Sequence, residues 1–235
     1  MTIRSFGALA VLATLVLPVA LSATSDKTLN KRIAAATAVL DELRGTPDQD
    51  VPKDLWDKAE CVAVIPSLKK AAFVFGGEYG KGLVTCRTGG TWGSPSFVLL
   101  EKGSWGFQIG GETVDLVLLI MNQHGVDRLL ESKVALGGDV SVAAGPVGRD
   151  ARAATDVQLK AEILSYSRSQ GLFAGIDISG GVLKADDEDN RDLYGRKVTG
   201  RELLVTSKLA TPRAARPFMA AVNRMSAAPS RTDQR

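Results

Sequence analysis

Twenty of the 24 glycines in this 235-residue chain fall between Gly76 and Gly181, interleaved with short apolar runs. Glycine inside such runs marks bulges, sharp bends or the close approach of another backbone. The same stretch holds the only histidine, His124, and no recognisable catalytic motif. The pattern reads as a strongly curved β scaffold that presents a binding surface.

From Glu60 the apolar period is that of strands. The runs are 61–66, 71–75, 82–86, 96–101, 104–110 and 113–121, separated by turn residues and read as an antiparallel meander. The nearly continuous apolar run 113–121 is expected as a central strand buried on both faces. A short helix over His124 to Leu130 interrupts the sheet, and 139–145, 161–167, 172–180 and 181–185 resume it. At the N-terminal side, Leu29, Ile33, Ala36, Leu40 and Leu43 form a helical stripe that Gly45 and Pro47 end. That stripe docks on the domain, on a membrane or on a partner. After Asp186 helices return, with capping-box spacing at Thr199 and Glu202 and a helix start at Thr211-Pro212. The fold class is therefore α+β: a single domain with a curved, mainly antiparallel sheet, half-barrel or sandwich-like, flanked by N- and C-terminal helices.

Residues 1–23 read as a cleaved secretory signal, with Arg4, an apolar run of about 16 residues and the small-residue end Ala20-Leu21-Ser22-Ala23. That run is shorter than the roughly 20 residues that span a bilayer. The domain then covers 24–225 and a polar, disordered tail 226–235. Without Arg4 the chain carries 28 basic and 26 acidic residues, a balance of +2 that gives no bulk-charge argument for nucleic acid or any other polyanion. Export makes the pair Cys61 and Cys86 a disulfide closing a loop of about 25 residues, worth roughly 3 kcal/mol; two buried free thiols are the alternative.

Catalytic and metal readings find little. His124 has no second histidine and reads as a solvated turn residue. Ser141, Ser165 and Ser179 lack the nucleophile elbow. The acidic run from Asp186 lacks the glycine and glutamate of a calcium loop and reads as a solvated loop. No metal or cofactor is expected, and no enzyme. Lys69 and Lys70 in an expected turn, facing Lys81 in an expected loop GGEYGKG, form a basic constellation suited to a phosphate headgroup, with solvated turn lysines as the alternative. Arg149 and Arg168 are further candidates, each also readable as an ion-pair or turn residue.

The runs CVAVIPSLKKAAFVFGGEYGKGLVTCR, GFQIGGETVDLVLLIMN, LGGDVSVAAGPVGRDARAATD and AEILSYSRSQGLFAGIDISGG resemble the SYLF domain family over about residues 30–205. Where members tend to show Trp-Ser-x-Pro, this chain has Trp92-Gly93-Ser94-Pro95. The resemblance implies a lipid-binding module using an N-terminal amphipathic helix and basic residues, here Lys31 and Arg32 on the first helix. The resulting expectation is an exported, periplasmic or secreted, non-enzymatic protein that associates with anionic phospholipid or a membrane surface through Lys69, Lys70, Lys81, Lys31, Arg32, Arg149 and Arg168. The alternative is a structural or protein-interaction module of the bacterial cell envelope, with an envelope protein as partner.

Overall fold

A computed structural model of the chain describes residues 19–44, 51–72, 75–105, 110–131, 133–147, 160–169, 172–206 and 209–226. Most of the expected signal segment, Arg149 and the tail after Ser226 lie outside the described residues. The described elements are, in chain order, α1 (Val19–Arg44), α2 (Lys53–Lys58), β1 (Cys61–Ala72), β2 (Phe75–Thr88), β3 (Thr91–Trp92), β4 (Ser96–Trp105) and β5 (Gly110–Ile120). There follow α3 (Gln123–Leu129), β6 (Lys133–Ala135), β7 (Val142–Ala144), β8 (Ile163–Ser169), β9 (Leu172–Gly175), β10 (Gly181–Ala185), α4 (Asp187–Tyr194) and α5 (Arg216–Ser226). A π-helical turn, Glu202–Thr206, and a 3-10 turn, Arg213–Ala215, lie between the last two helices.

The strands form one curled sheet in the order β6-β10-β4-β2-β1-β5-β8-β7, with β3 beside β2 and β9 beside β8. The strand pairings are antiparallel except β7 with β8. The result is an α+β single domain, a half-barrel flanked by helices from both ends of the chain. It is not a meander: after β4 the chain crosses both β2 and β1, and β5 pairs with the far side of β1, not with β4. The reason is burial. Leu116, Val117, Leu118, Leu119 and Ile120 are all fully buried, and a strand apolar on both faces stabilises the fold only in the middle of a covered sheet.

Alternation along β1 and β5 divides the interior in two. Val62, Val64, Val117 and Leu119 face one core, which α1, α2 and α5 cover with Leu29, Ile33, Leu40, Leu43, Trp56, Phe218 and Val222. Ala63, Ile65, Leu116 and Leu118 face the other, closed by Val126 of α3, Leu136, Ile178, Val198 and the π-helical turn residues Leu203 and Leu204. The stripe of α1 is therefore docked on the domain, with Leu29 and Leu43 at 3% and 0% exposure.

Two expected breaks in the strands prove to be something else. Lys69 and Lys70 do not sit in a turn; β1 runs from Cys61 to Ala72 and includes both. The ladder slips there instead, between Val64 and Lys69 against β2 and between Ile65 and Leu68 against β5. Pro66 has no N–H to donate, and Ser67 takes a φ of 53° with its N–H donating to Asp115 Oδ1 at 2.9 Å, so a bulge forms. Likewise, Gly76 to Gly82 is strand β2 and not a loop. A Cβ on Gly82 would lie 2.1 Å from Val64 O and 2.8 Å from Ile65 Cα, so only glycine lets β2 pass this close to the bulge.

Cys61 and Cys86 are direct partners across the β1–β2 ladder and are joined by a disulfide. Two measurements test this arrangement. Gly82→Ala is expected to cost about 1–3 kcal/mol in urea unfolding, since backbone and not a side chain must yield. Reduction of the disulfide in the folded protein is expected to add two hydrogens to the mass and to lower stability by roughly 3 kcal/mol, and a reduced protein of unchanged stability would refute the chain-entropy estimate.

Candidate functional site

The basic residues singled out from the sequence do not form one patch. Lys81 lies on the helix-covered face of β2, with Nζ 2.6 Å from Asp186 Oδ2 and 3.1 Å from Asp189 Oδ2. Arg32 of α1 pairs with the same Asp189 and lies 5.2 Å above the Phe97 ring. Asn190, fully buried beside them, accepts from the Phe97 N–H at 2.6 Å and donates to Ser96 Oγ at 3.0 Å. This is a structural knot, tying α1, β2, β4 and α4 together with most charges internally matched.

The carboxylates of the knot come from the run expected as a solvated acidic loop. Asp186 instead caps α4, accepting from the Asp189 N–H, and both face inward. The available signal was an Asp with helix-capping spacing ahead of Asp189. Burial opposes the Asp189 charge, but hydrogen bonds from Asp186, Arg32 and Lys81 outweigh it and hold its pKa below the usual carboxylate value. Burial, with Asp189 close by, pushes Asp186 up. For Lys81 burial works against the charge, yet the hydrogen bonds and charges of Asp186 and Asp189 win and raise its pKa.

Arg168 of β8 is also engaged. It pairs with Glu42 of α1 and, at 3.1 Å, with Asp115 of β5, and lies 5.9 Å over the Phe173 ring. Arg224 of α5 holds Asp41 of α1. Lys31 and Lys69 are exposed, whereas Lys70 is half-buried and stands opposite Glu78 and Glu112 in register.

Next to Lys69 and Lys70 the sheet ends. The last pairs of the ladder are Ala72 with Gly76, Ala72 with Gly110, and Phe75 with Trp105. The register therefore brings the ends of β1, β2, β4 and β5 side by side. The segments 73–74 and 106–109 that join these strands lie outside the described residues; by sequence they read Phe-Val and Gly-Phe-Gln-Ile. No charged residue occurs from Ala71 to Gly77 or from Gly103 to Gly111. The described ends of β1, β2, β4 and β5 thus carry uncharged sequence, with Lys69, Lys70 and Lys102, and also Glu78 and Glu112, a few pairs further in.

His124 departs from the expected solvated residue in one respect: it is exposed in α3 but pairs with Glu162. Glu162 also accepts from the Ser141 N–H at 2.7 Å and from its hydroxyl at 3.0 Å. The carboxylate thus stands between serine and histidine, so His124 does not touch the hydroxyl as the base of a serine–histidine–acid triad would. Among the described residues no group of side chains could hold a metal ion, and no helix is long and apolar enough to cross a membrane.

Residues 101–225 match the family described as Ysc84, Las17-binding protein actin regulator. The chain belongs to this Ysc84, or SYLF, family. Among its relatives, the LAS seventeen-binding protein 3 of Saccharomyces cerevisiae is 33% identical over 205 residues, 86% of this chain and 44% of that protein. The SH3 domain-containing YSC84-like protein 1 of Xenopus laevis is 36% identical over 155 residues, 65% of this chain and 46% of that protein. The chain spans less than half the length of these relatives.

The charged knot carries a prediction. With its pKa depressed, Asp189 contributes stability that is present above the ordinary carboxylate range and is lost as pH falls through its lowered value. Asp186, raised by burial, acts in the opposite sense over the same fall. Asp189→Asn is expected to cost about 1–3 kcal/mol at pH 7, with the gap to wild type closing toward pH 3 in urea unfolding. An equal gap at both pH values would show that the Asp189 charge is not what holds the knot.

Proposed function

We propose that the domain is an exported, non-enzymatic module that associates with anionic phospholipid surfaces through the apolar sheet end beside Lys69 and Lys70. The observation that carries this is the register that sets the uncharged ends of β1, β2, β4 and β5 together with lysines immediately behind them. Aromatic side chains favour the interface of a bilayer, and lysines next to them place their ammonium groups among the headgroups while their stems stay with apolar material. The amphipathic helix does not serve, because its apolar stripe is already buried in the core. Arg32, Lys81 and Arg168 act as structural ions in this reading, and Lys31 and Lys69 remain as exposed cations. Arg149 stays a candidate by sequence.

The sequence pattern of residues 1–23 and the Cys61–Cys86 disulfide support export to the periplasm or beyond. Cleavage near Ser22 or Ala23 would leave intact the part of α1 whose described side chains, from Leu29 to Leu43, dock on the core. The family's description as Las17-binding actin regulators favours a second reading for this chain: a domain that binds a protein of the cell envelope.

Sedimentation with vesicles separates the two. Binding to phosphatidylglycerol or cardiolipin vesicles but not to phosphatidylcholine is expected, with Lys69→Glu weakening it roughly tenfold and Lys133→Glu, on edge strand β6, leaving it near wild type. Absence of binding to all three vesicle types, or equal losses from both substitutions, would sink the membrane reading. Capture of one envelope protein that survives high salt would then favour the second.

A further inference from the structure

Away from the sheet end, three side-chain donors converge on one hydroxyl. Ser226 is the last residue of α5, and its Oγ lies 3.1 Å from each of Trp56 Nε1 of α2, Trp92 Nε1 of β3 and Arg87 Nη2 of β2. Lys53 Nζ, which also pairs with Asp57 Oδ2 at 2.5 Å, reaches the Ser226 carbonyl at 3.3 Å. A hydroxyl oxygen has two lone pairs, so three donors exceed what it can accept. Indole, guanidinium and ammonium groups are donors only, and none can reverse its role to relieve the mismatch.

Charge points the same way. Arg87 donates from Nε to Ala59 O at 3.0 Å, and its guanidinium lies 4.1 Å over the Trp92 ring. Among the described residues no carboxylate pairs with it, so a half-buried cation faces neutral acceptors alone. The cradle is also rigid. Trp56 is buried at 1% exposure, Trp92 lies 6.5 Å from it between ring centroids, and the β2–β3 pairing sets Arg87 directly opposite Trp92.

We propose that Trp56, Arg87, Trp92 and Lys53 form a binding site for an oxyanion, either a carboxylate or a phosphate monoester, and that the Ser226 hydroxyl occupies it as a neutral stand-in. An oxyanion supplies the lone pairs the three N–H groups require and the negative charge that Arg87 lacks. Phosphate geometry suits the arrangement, since separate oxygens can take separate donors. The site goes beyond the membrane reading and does not rest on it: its groups belong to α2, β2, β3 and the end of α5, and none comes from the uncharged strand ends.

A pair of substitutions tests the receptor with no added ligand. Ser226→Asp brings a carboxylate to the cradle, and Ser226→Asn brings a neutral group of the same shape. At a helix C-terminus a carboxylate is ordinarily the worse choice, because the carbonyl end of the dipole repels it. A receptor for oxyanions reverses that order, and Ser226→Asp is expected to melt about 3 °C above Ser226→Asn. Trp92→Phe keeps the ring under Arg87 but deletes one N–H, and in that background the advantage shrinks.

Titration of the wild-type protein with acetate, inorganic phosphate and glycerol 3-phosphate, followed by tryptophan fluorescence against chloride at equal ionic strength, then identifies the ligand class. A saturable response to phosphate and glycerol 3-phosphate assigns the phosphate monoester, and one confined to acetate assigns the carboxylate. Either must be weakened by Trp92→Phe and blocked by Ser226→Asp. Ser226→Asp melting at or below Ser226→Asn overturns the proposal, as does the absence of any saturable response or one that both substitutions leave unchanged.

Discussion

A sheet whose middle strands are apolar on both faces must be covered twice, and most of this structure follows from that requirement. Residues 116–120 of β5 and 61–65 of β1 present buried side chains to both sides. Each face needs its own apolar lid, because exposure of either would forfeit about 25 cal/mol for every Å² left in water. Helices from the two ends of the chain supply one lid. The curl of the sheet, with α3 and the π-helical turn, supplies the other. The curl in turn needs a bulge and strands that approach closely, which is why Gly82 lies against Val64 and Ile65, next to the bulge at Pro66 and Ser67.

Covering one face with α1 fixes the fate of the charges. Its stripe faces the core, so the polar residues along its borders meet the sheet rim and α4. Arg32, Glu42 and Asp41 find partners in Asp189, Arg168 and Arg224, respectively. Removing Arg32 or Asp189, the most buried pair among these, would leave an ion without its counterion, which costs more than the pair is worth when intact. Charges spent in this way are not free for a ligand. Of the basic residues near the described sheet end, Lys69 is open to solvent and Lys70 and Lys102 are half-buried.

The sequence was legible where period and composition agree. The α1 stripe, the doubly buried β5, the α3 segment after Asn122, the capping spacing at Thr199 and the paired cysteines are all where the residues indicated. It was misleading where a local signal had two physical sources. Gly76, Gly77, Gly80 and Gly82 signal a loop as readily as a strand that must clear a bulge, and only the neighbouring backbone decides. Pro66 signals a turn or a bulge for the same reason. The knot around Lys81 was hidden because its partners, Asp186 and Asp189, lie more than a hundred residues along the chain, and α2 was missed because six residues carry too little period to register. The donors around Ser226 have no sequence signature, since they come from three separate elements.

The pairing of the chain's two ends also sets the order of assembly. Arg32 meets Asp189 across a separation of 157 residues, and Trp56 meets Ser226 across 170. Closing loops of that length is entropically expensive until the sheet between them has formed. The apolar stripe of α1 packs on Val62, Val64 and Leu83 of the nearby strands β1 and β2, but the rest of its cover, Phe218 and Val222, comes from the far end of the described chain. The cover over the first helix is therefore complete only when the C-terminal helix is in place.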